Sequence, residues 1–176
     1  MNIATQPGKG TAVITGASTG IGAIYANRLA RMGYDLIIVA RNHNRLNQMA
    51  SHITADTARN VEVVAADLGD SQQLNALEKK LRDDASIEAI ILDLEMPGMD
   101  GVQVLHELAR LQLNPAVVVA SSRESVLLNV VESMGKSLGI KLLGVLQKPV
   151  TLEQLACSLG RFSAIVQNCE KSAAQA

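Results

Sequence analysis

The chain has 176 residues, 48% of them apolar and 19% charged, with a net charge of −1. This composition excludes a disordered chain, and the length favours one domain with a sizeable core. The balanced charge without a Lys/Arg run, and aromatics at only 2%, exclude a nucleic-acid surface, which needs clustered cations and stacking platforms.

The opening MNIATQPGKG has no apolar stretch of the kind a secretory signal needs, and no later run is long enough for a membrane span. A cytoplasmic protein is expected. TAVIT at 11–15 is the first of six short apolar runs, followed by DLIIVA (35–40), VEVVAA (61–66), IEAIILD (87–93), PAVVVAS (115–121) and KLLGVLQ (141–147). Nearly continuous Val and Ile mark strands buried on both faces. Helices are predicted between and after them. The first spans 21–32, with Gly33 as its C-cap. The second, 42–57, carries Leu46, Met49, Ala50 and Ile53 at helical spacing. The third, 71–83, follows Asp70 and Gln73 at capping-box spacing. Helices at 101–111, 124–138 and 151–166 complete the series. Val104, Leu105 and Leu108 share a face of the first, Gly139 ends the second, and Thr151 with Gln154 opens the third. The tail, 171–176, is expected to fray.

Strictly alternating strands and helices predict an α/β fold, a doubly wound parallel six-stranded sheet in the Rossmann-like order 3-2-1-4-5-6. One domain over 1–170 is expected, since no linker divides the chain. Cys157 and Cys169 have no nearby histidine partners and form no metal signature.

Thr15-Gly16-Ala17-Ser18-Thr19-Gly20-Ile21-Gly22 lies between the first strand and the first helix. Gly16 allows a tight turn, Gly20 lets backbone approach a pyrophosphate, and Gly22 allows close helix packing. Free N–H groups and the helix dipole can then hold the anion. The Thr-Gly-x3-Gly-x-Gly spacing resembles the short-chain dehydrogenase/reductase family, over about 8–85. The resemblance implies a dinucleotide held by Gly16, Ser18, Thr19, Gly20, Ile21 and Gly22. At the end of the second strand, where that family selects its cofactor, Arg41 implies a 2′-phosphate and hence NADP over NAD. Asp67 and Leu68 would flank the adenine. The family's Asn-Asn-Ala-Gly run is replaced by Leu92-Asp93-Leu94-Glu95. Its Tyr followed by Lys four residues on is absent, because Leu29 follows Tyr25 at that spacing and Ile38 follows Tyr34. No catalytic residue is therefore assigned.

From about 86 to 168 the chain resembles a response-regulator receiver domain, which is flavodoxin-like. Asp93 ends a strand before LEMPGMDG, as a phosphoacceptor would. Ser121 or Ser122 ends the next strand, where a hydroxyl would meet the phosphoryl group, and Lys148-Pro149, a candidate cis bond, ends the last. The receiver's acidic pair is missing: Gly16, Ala17 and Ser18 follow the first strand, and Asp83-Asp84 precedes the fourth. No metal site is expected.

Together the two resemblances imply an engineered chimera joined near 83–88. Its expected function is a scaffold without native catalysis, keeping weak NADP(H) binding at the glycine loop. A natural or degenerate NADP-dependent short-chain oxidoreductase is the first alternative, and a phosphoacceptor receiver module the second. No membrane, nucleic-acid or specific protein partner is inferred.

Overall fold

A computed structural model describes residues 8–93, 106, 109–110, 115–121, 132–151, 153–154 and 156–161. Its elements are β1 (Thr11–Thr15), α1 (Gly20–Arg31), β2 (Asp35–Ala40), α2 (His43–Thr57), β3 (Val61–Ala65), α3 (Ser71–Asp83), β4 (Ile87–Asp93), β5 (Ala116–Ser121) and β6 (Lys141–Gln147). Residues 132–137 and 156–161 are also helical. All strands pair in parallel, in the expected order β3-β2-β1-β4-β5-β6.

Continuous apolar runs are explained by two core layers. Ile14, Ile38, Ile91 and Val118 face one side and pack with Tyr25 and Leu29 of α1 and with Leu46 and Ile53 of α2. Their neighbours Val13, Ile37, Ile90 and Val117 face the other side, with Leu77 and Leu81 of α3. Successive side chains of a strand point oppositely, so a strand covered on both faces must be apolar throughout.

Most predicted ends lie within a residue of the observed ones. β5 starts after Pro115, which has no N–H for the ladder. α1 closes on Gly33 as expected, by a left-handed turn at φ 101°. There the Gly33 N–H donates to the Ala30 carbonyl and the Tyr34 N–H to the Leu29 carbonyl, a Schellman closure. Thr151 and Gln154 exchange the two bonds of a capping box. Asp70 and Gln73 do not. Asp70 accepts from the Gln72 and Gln73 N–H groups, but the Gln73 side-chain oxygen turns away to accept from the Asp67 N–H. The helix at 101–111 is described only at 106 and 109–110. Residues 124–131, 162–166 and the tail, together with Met96-Pro97-Gly98, Ser122 and Cys169, lie outside the described residues.

One contact ties the first helix to the last. The buried Tyr25 hydroxyl hydrogen-bonds the Ser158 hydroxyl, 133 residues away. Burial raises the Tyr25 pKa above the ordinary phenol value, and the Ser158 bond opposes this less strongly. The unfolded chain ionises this phenol at about pH 10, while the folded chain holds the proton to higher pH. Its stabilising contribution is therefore complete below pH ~10 and lost as pH rises through the folded value. Tyr25→Phe should cost about 1 kcal/mol at neutral pH by losing the bond. In urea unfolding, the difference between wild type and Tyr25→Phe should stay constant to pH ~9 and narrow above pH ~10. A difference that stays flat into the strongly alkaline range would contradict this.

Candidate functional site

The carboxyl ends of β1 to β4 open onto one crevice, at the point where strand order reverses between β1 and β4. Ligands of open α/β sheets bind at such points. The crevice has a volume of about 340 Å³. Its wall is built by Gly16, Ser18 and Thr19 after β1, by Ala40 at the end of β2 and Arg41, Asn42 and Arg45 after it, by Asp67 and Leu68 after β3, and by Asp93 of β4.

Two glycines of the loop are required by backbone conformation, Gly16 at φ 63° and Gly20 at φ 58°. Around Gly20 nothing lies within 4 Å of where a Cβ would stand. Gly22 is required by space, since a Cβ there would sit 2.6 Å from the Gly16 carbonyl oxygen. Thr19 precedes α1 in extended conformation and its side chain makes no capping bond. α2 and α3, by contrast, are capped by Asn42 and Asp70. No acidic residue occupies the first turn of α1. Backbone N–H groups at this end are thus available to an anion, aligned with the positive end of the helix dipole.

Of the residues expected to hold a dinucleotide, Gly16, Ser18, Thr19, Arg41, Asp67 and Leu68 line the crevice. Gly20, Ile21 and Gly22 do not; they shape the start of α1, and Ile21 packs against the core. The Asp67 carboxylate accepts from the Gly69 N–H within its own turn. Leu68 is buried. Sequence reasoning overlooked Arg45, a second exposed cation one helical turn after Arg41. Asn42 places it by accepting from the Arg45 N–H. The signal was present in RNHNR, whose arginines stand four apart at a helix start.

Thr15 was overlooked too. Its hydroxyl accepts from the Asp93 N–H at 2.9 Å and reaches the Ile91 carbonyl at 3.4 Å, bridging β1 to β4. Asp93 and Lys148 come together, with Nζ 2.9 and 3.0 Å from the two carboxylate oxygens. The Lys148-Pro149 bond is cis. Ser121 is fully buried and does not line the crevice; its carbonyl accepts from the Lys148 N–H. Asp84 lies at the opposite end of β4 from Asp93. Its hydrogen bond from the Ser86 hydroxyl, then that from the Ser86 N–H, hold its carboxyl below the usual range. Among the described residues no group of three or more His, Cys, Asp or Glu could hold a metal. Both tyrosines are buried, Tyr25 against Ser158 and Tyr34 at the close of α1.

Residues 10–94 match the short chain dehydrogenase family. The 17-beta-hydroxysteroid dehydrogenase type 3 of Danio rerio is 46% identical over 56 residues, which are 32% of this chain and 18% of that protein. The matched stretch therefore spans less than a fifth of that relative's length. The bulky-bulky ketone specific alcohol dehydrogenase of Comamonas testosteroni superimposes with a TM-score of 0.62 at 28% identity, covering 77% of this chain and 69% of that one. A short-chain dehydrogenase of Sphingobium yanoikuyae, in complex with NADPH, gives 0.63 at 27%, covering 78% and 71%.

These matches correct the expectation of an inert chimera. The family match crosses the supposed joint at 83–88 and runs to the end of β4. Each of the two dehydrogenase structures covers more than three quarters of the chain by itself. The two-family reading was misled because any doubly wound sheet places polar residues at its carboxyl strand ends, where either family would carry its site. Among the described residues no helix is long and apolar enough to cross a membrane.

Proposed function

We propose that this chain is an NADP(H)-binding oxidoreductase unit of the short-chain dehydrogenase type. The observation that carries this reading is that Thr19, which precedes α1 without capping it, lines the same crevice as Arg41 and Arg45. A dinucleotide phosphate needs both: backbone donors for its pyrophosphate and guanidinium groups for its 2′-phosphate. The cradle around Gly20 is open, and the loop's positive φ angles keep the backbone bare there. The adenosine ribose would join these two ends, and the adenine would lie beyond it, against Asp67 and Leu68 after the edge strand β3. When bound, the cofactor supplies or accepts a hydride. The chain's part is to hold the phosphates and orient the dinucleotide along the carboxyl ends of β1 to β4. Neither Tyr25 nor Tyr34 reaches the crevice, so the accompanying proton passes through some group other than a tyrosine of this chain.

Titration of NADPH and NADH by their own fluorescence tests the reading. NADPH is expected to bind, and to bind more tightly than NADH. Absence of binding by either dinucleotide at millimolar concentration would overturn it.

A further inference from the structure

We propose that Lys148, delivered from the far strand β6, is the cation that lets the glycine loop accept a pyrophosphate. Asp93 is the counter-charge that holds it there. The inference rests on the NADP(H)-binding reading and adds to it a residue from the other end of the sheet.

β4 ends at Asp93 and β6 just before Lys148, with β5 between them. The lysine stem spans that gap and brings its ammonium to both carboxylate oxygens, at 2.9 and 3.0 Å. From the other side Thr15 fixes the Asp93 backbone, accepting its N–H at 2.9 Å. The carboxylate lies directly against the glycine loop: a Cβ built on Gly16 would meet an Asp93 oxygen at 2.8 Å. An ion pair therefore abuts the loop whose neighbouring helix start is open to an anion. The side chains are 23% and 22% exposed for Lys148 and Asp93. That is open enough for a ligand to approach and buried enough for the charges to escape full screening.

Alone, Asp93 would set a negative charge beside the two charges of a pyrophosphate. Lys148 cancels it at contact distance. The pair thus turns a repulsive corner into one that is neutral. Because NADP and NAD share the pyrophosphate, the effect must be equal for both. This separates Lys148 from Arg41, which would see only the 2′-phosphate.

A purely structural strap between β4 and β6 would show the same ion pair, so the test must read binding. Dissociation constants for NADPH and NADH are measured by calorimetry at low and high ionic strength, with melting temperatures alongside. The proteins are wild type, Lys148→Met, Lys148→Arg, Asp93→Asn and the double variant Asp93→Asn/Lys148→Met. Lys148→Met should weaken both dinucleotides about tenfold at low salt, and less at high salt. Lys148→Arg should recover most of the affinity. Asp93→Asn should tighten both severalfold, and the double variant should fall near wild type. If Lys148→Met does not fold, the tightening by the near-isosteric Asp93→Asn still decides. Lower melting temperatures with unchanged dissociation constants would reduce the pair to a strap and overturn the proposal. Wild type binding neither dinucleotide would overturn the proposed function and this inference together. Wild type that binds, with Lys148→Met and Asp93→Asn leaving affinity unchanged, would overturn this inference alone.

Discussion

Gly22→Val should lower the melting temperature by roughly 6–12 °C and abolish dinucleotide binding. The first Cβ alone would stand 2.6 Å from the Gly16 carbonyl oxygen, 2.9 Å from its carbon and 3.0 Å from the Ala17 Cα. All three are backbone atoms, so no side-chain rotation relieves the clash. Gly16 cannot yield easily either, because Asp93 lies against its other side. Overpacking against fixed backbone costs about 3 kcal/mol. In a chain of this size each kcal/mol is worth roughly 2–4 °C. Gly20→Ala is the matched control. No atom lies within 4 Å of its Cβ position, and only the positive φ of 58° opposes it. Its cost should be about 1 kcal/mol. Thermal unfolding followed by circular dichroism ranks the two. Equal melting temperatures would mean that the loop does not pack against α1 as described.

Arg41→Asp should weaken NADPH by about a hundredfold and change NADH by less than about threefold. The substitution removes a charge-assisted pairing worth roughly 1.5–3 kcal/mol and adds repulsion to a doubly charged phosphate. NADH has no phosphate at that position. Arg45 lines the same part of the crevice and shares the charge. Arg41→Ala alone should therefore cost only about tenfold, and the alanine double variant more than either single one. Calorimetry with both dinucleotides checks the difference. If Arg41→Asp weakens NADPH and NADH alike, the 2′-phosphate is held elsewhere.

Much of the fold was legible residue by residue. Val-rich runs such as AVVVAS can satisfy their surroundings only as strands covered on both faces, and β5 is buried along its whole length. The glycine spacing in TGASTGIG stated local backbone needs, and Gly16 and Gly20 carry the positive φ angles that other residues resist. Arg41 was legible because it follows a strand directly. Arg45 was not, because its place in the crevice depends on how the first turn of α2 is set by the Asn42 cap. Likewise the spacing of Asp70 and Gln73 suggested a box, yet a nearby Asp67 N–H competed for the glutamine oxygen.

Similarity to a second family at the strand ends pointed away from the family that matches residues 10–94. Residue type and position along the chain say that Asp93, Ser121 and Lys148 each end a strand. They do not say which of the three faces a ligand. Packing buries Ser121 completely, and its carbonyl accepts from the Lys148 N–H. The strand order carries Lys148 across β5 to Asp93, 55 residues away, and the β1–β4 pairing carries Thr15 to Asp93, 78 residues away. Helical and strand periods, turn chemistry and glycine conformations act within a few residues, so this sequence alone determined its six strands, its glycine loop and the cation after β2. Register and strand order act across the whole chain. They alone decided that the lysine after β6 and the threonine of β1 would both meet the carboxylate of β4, which lies against Gly16.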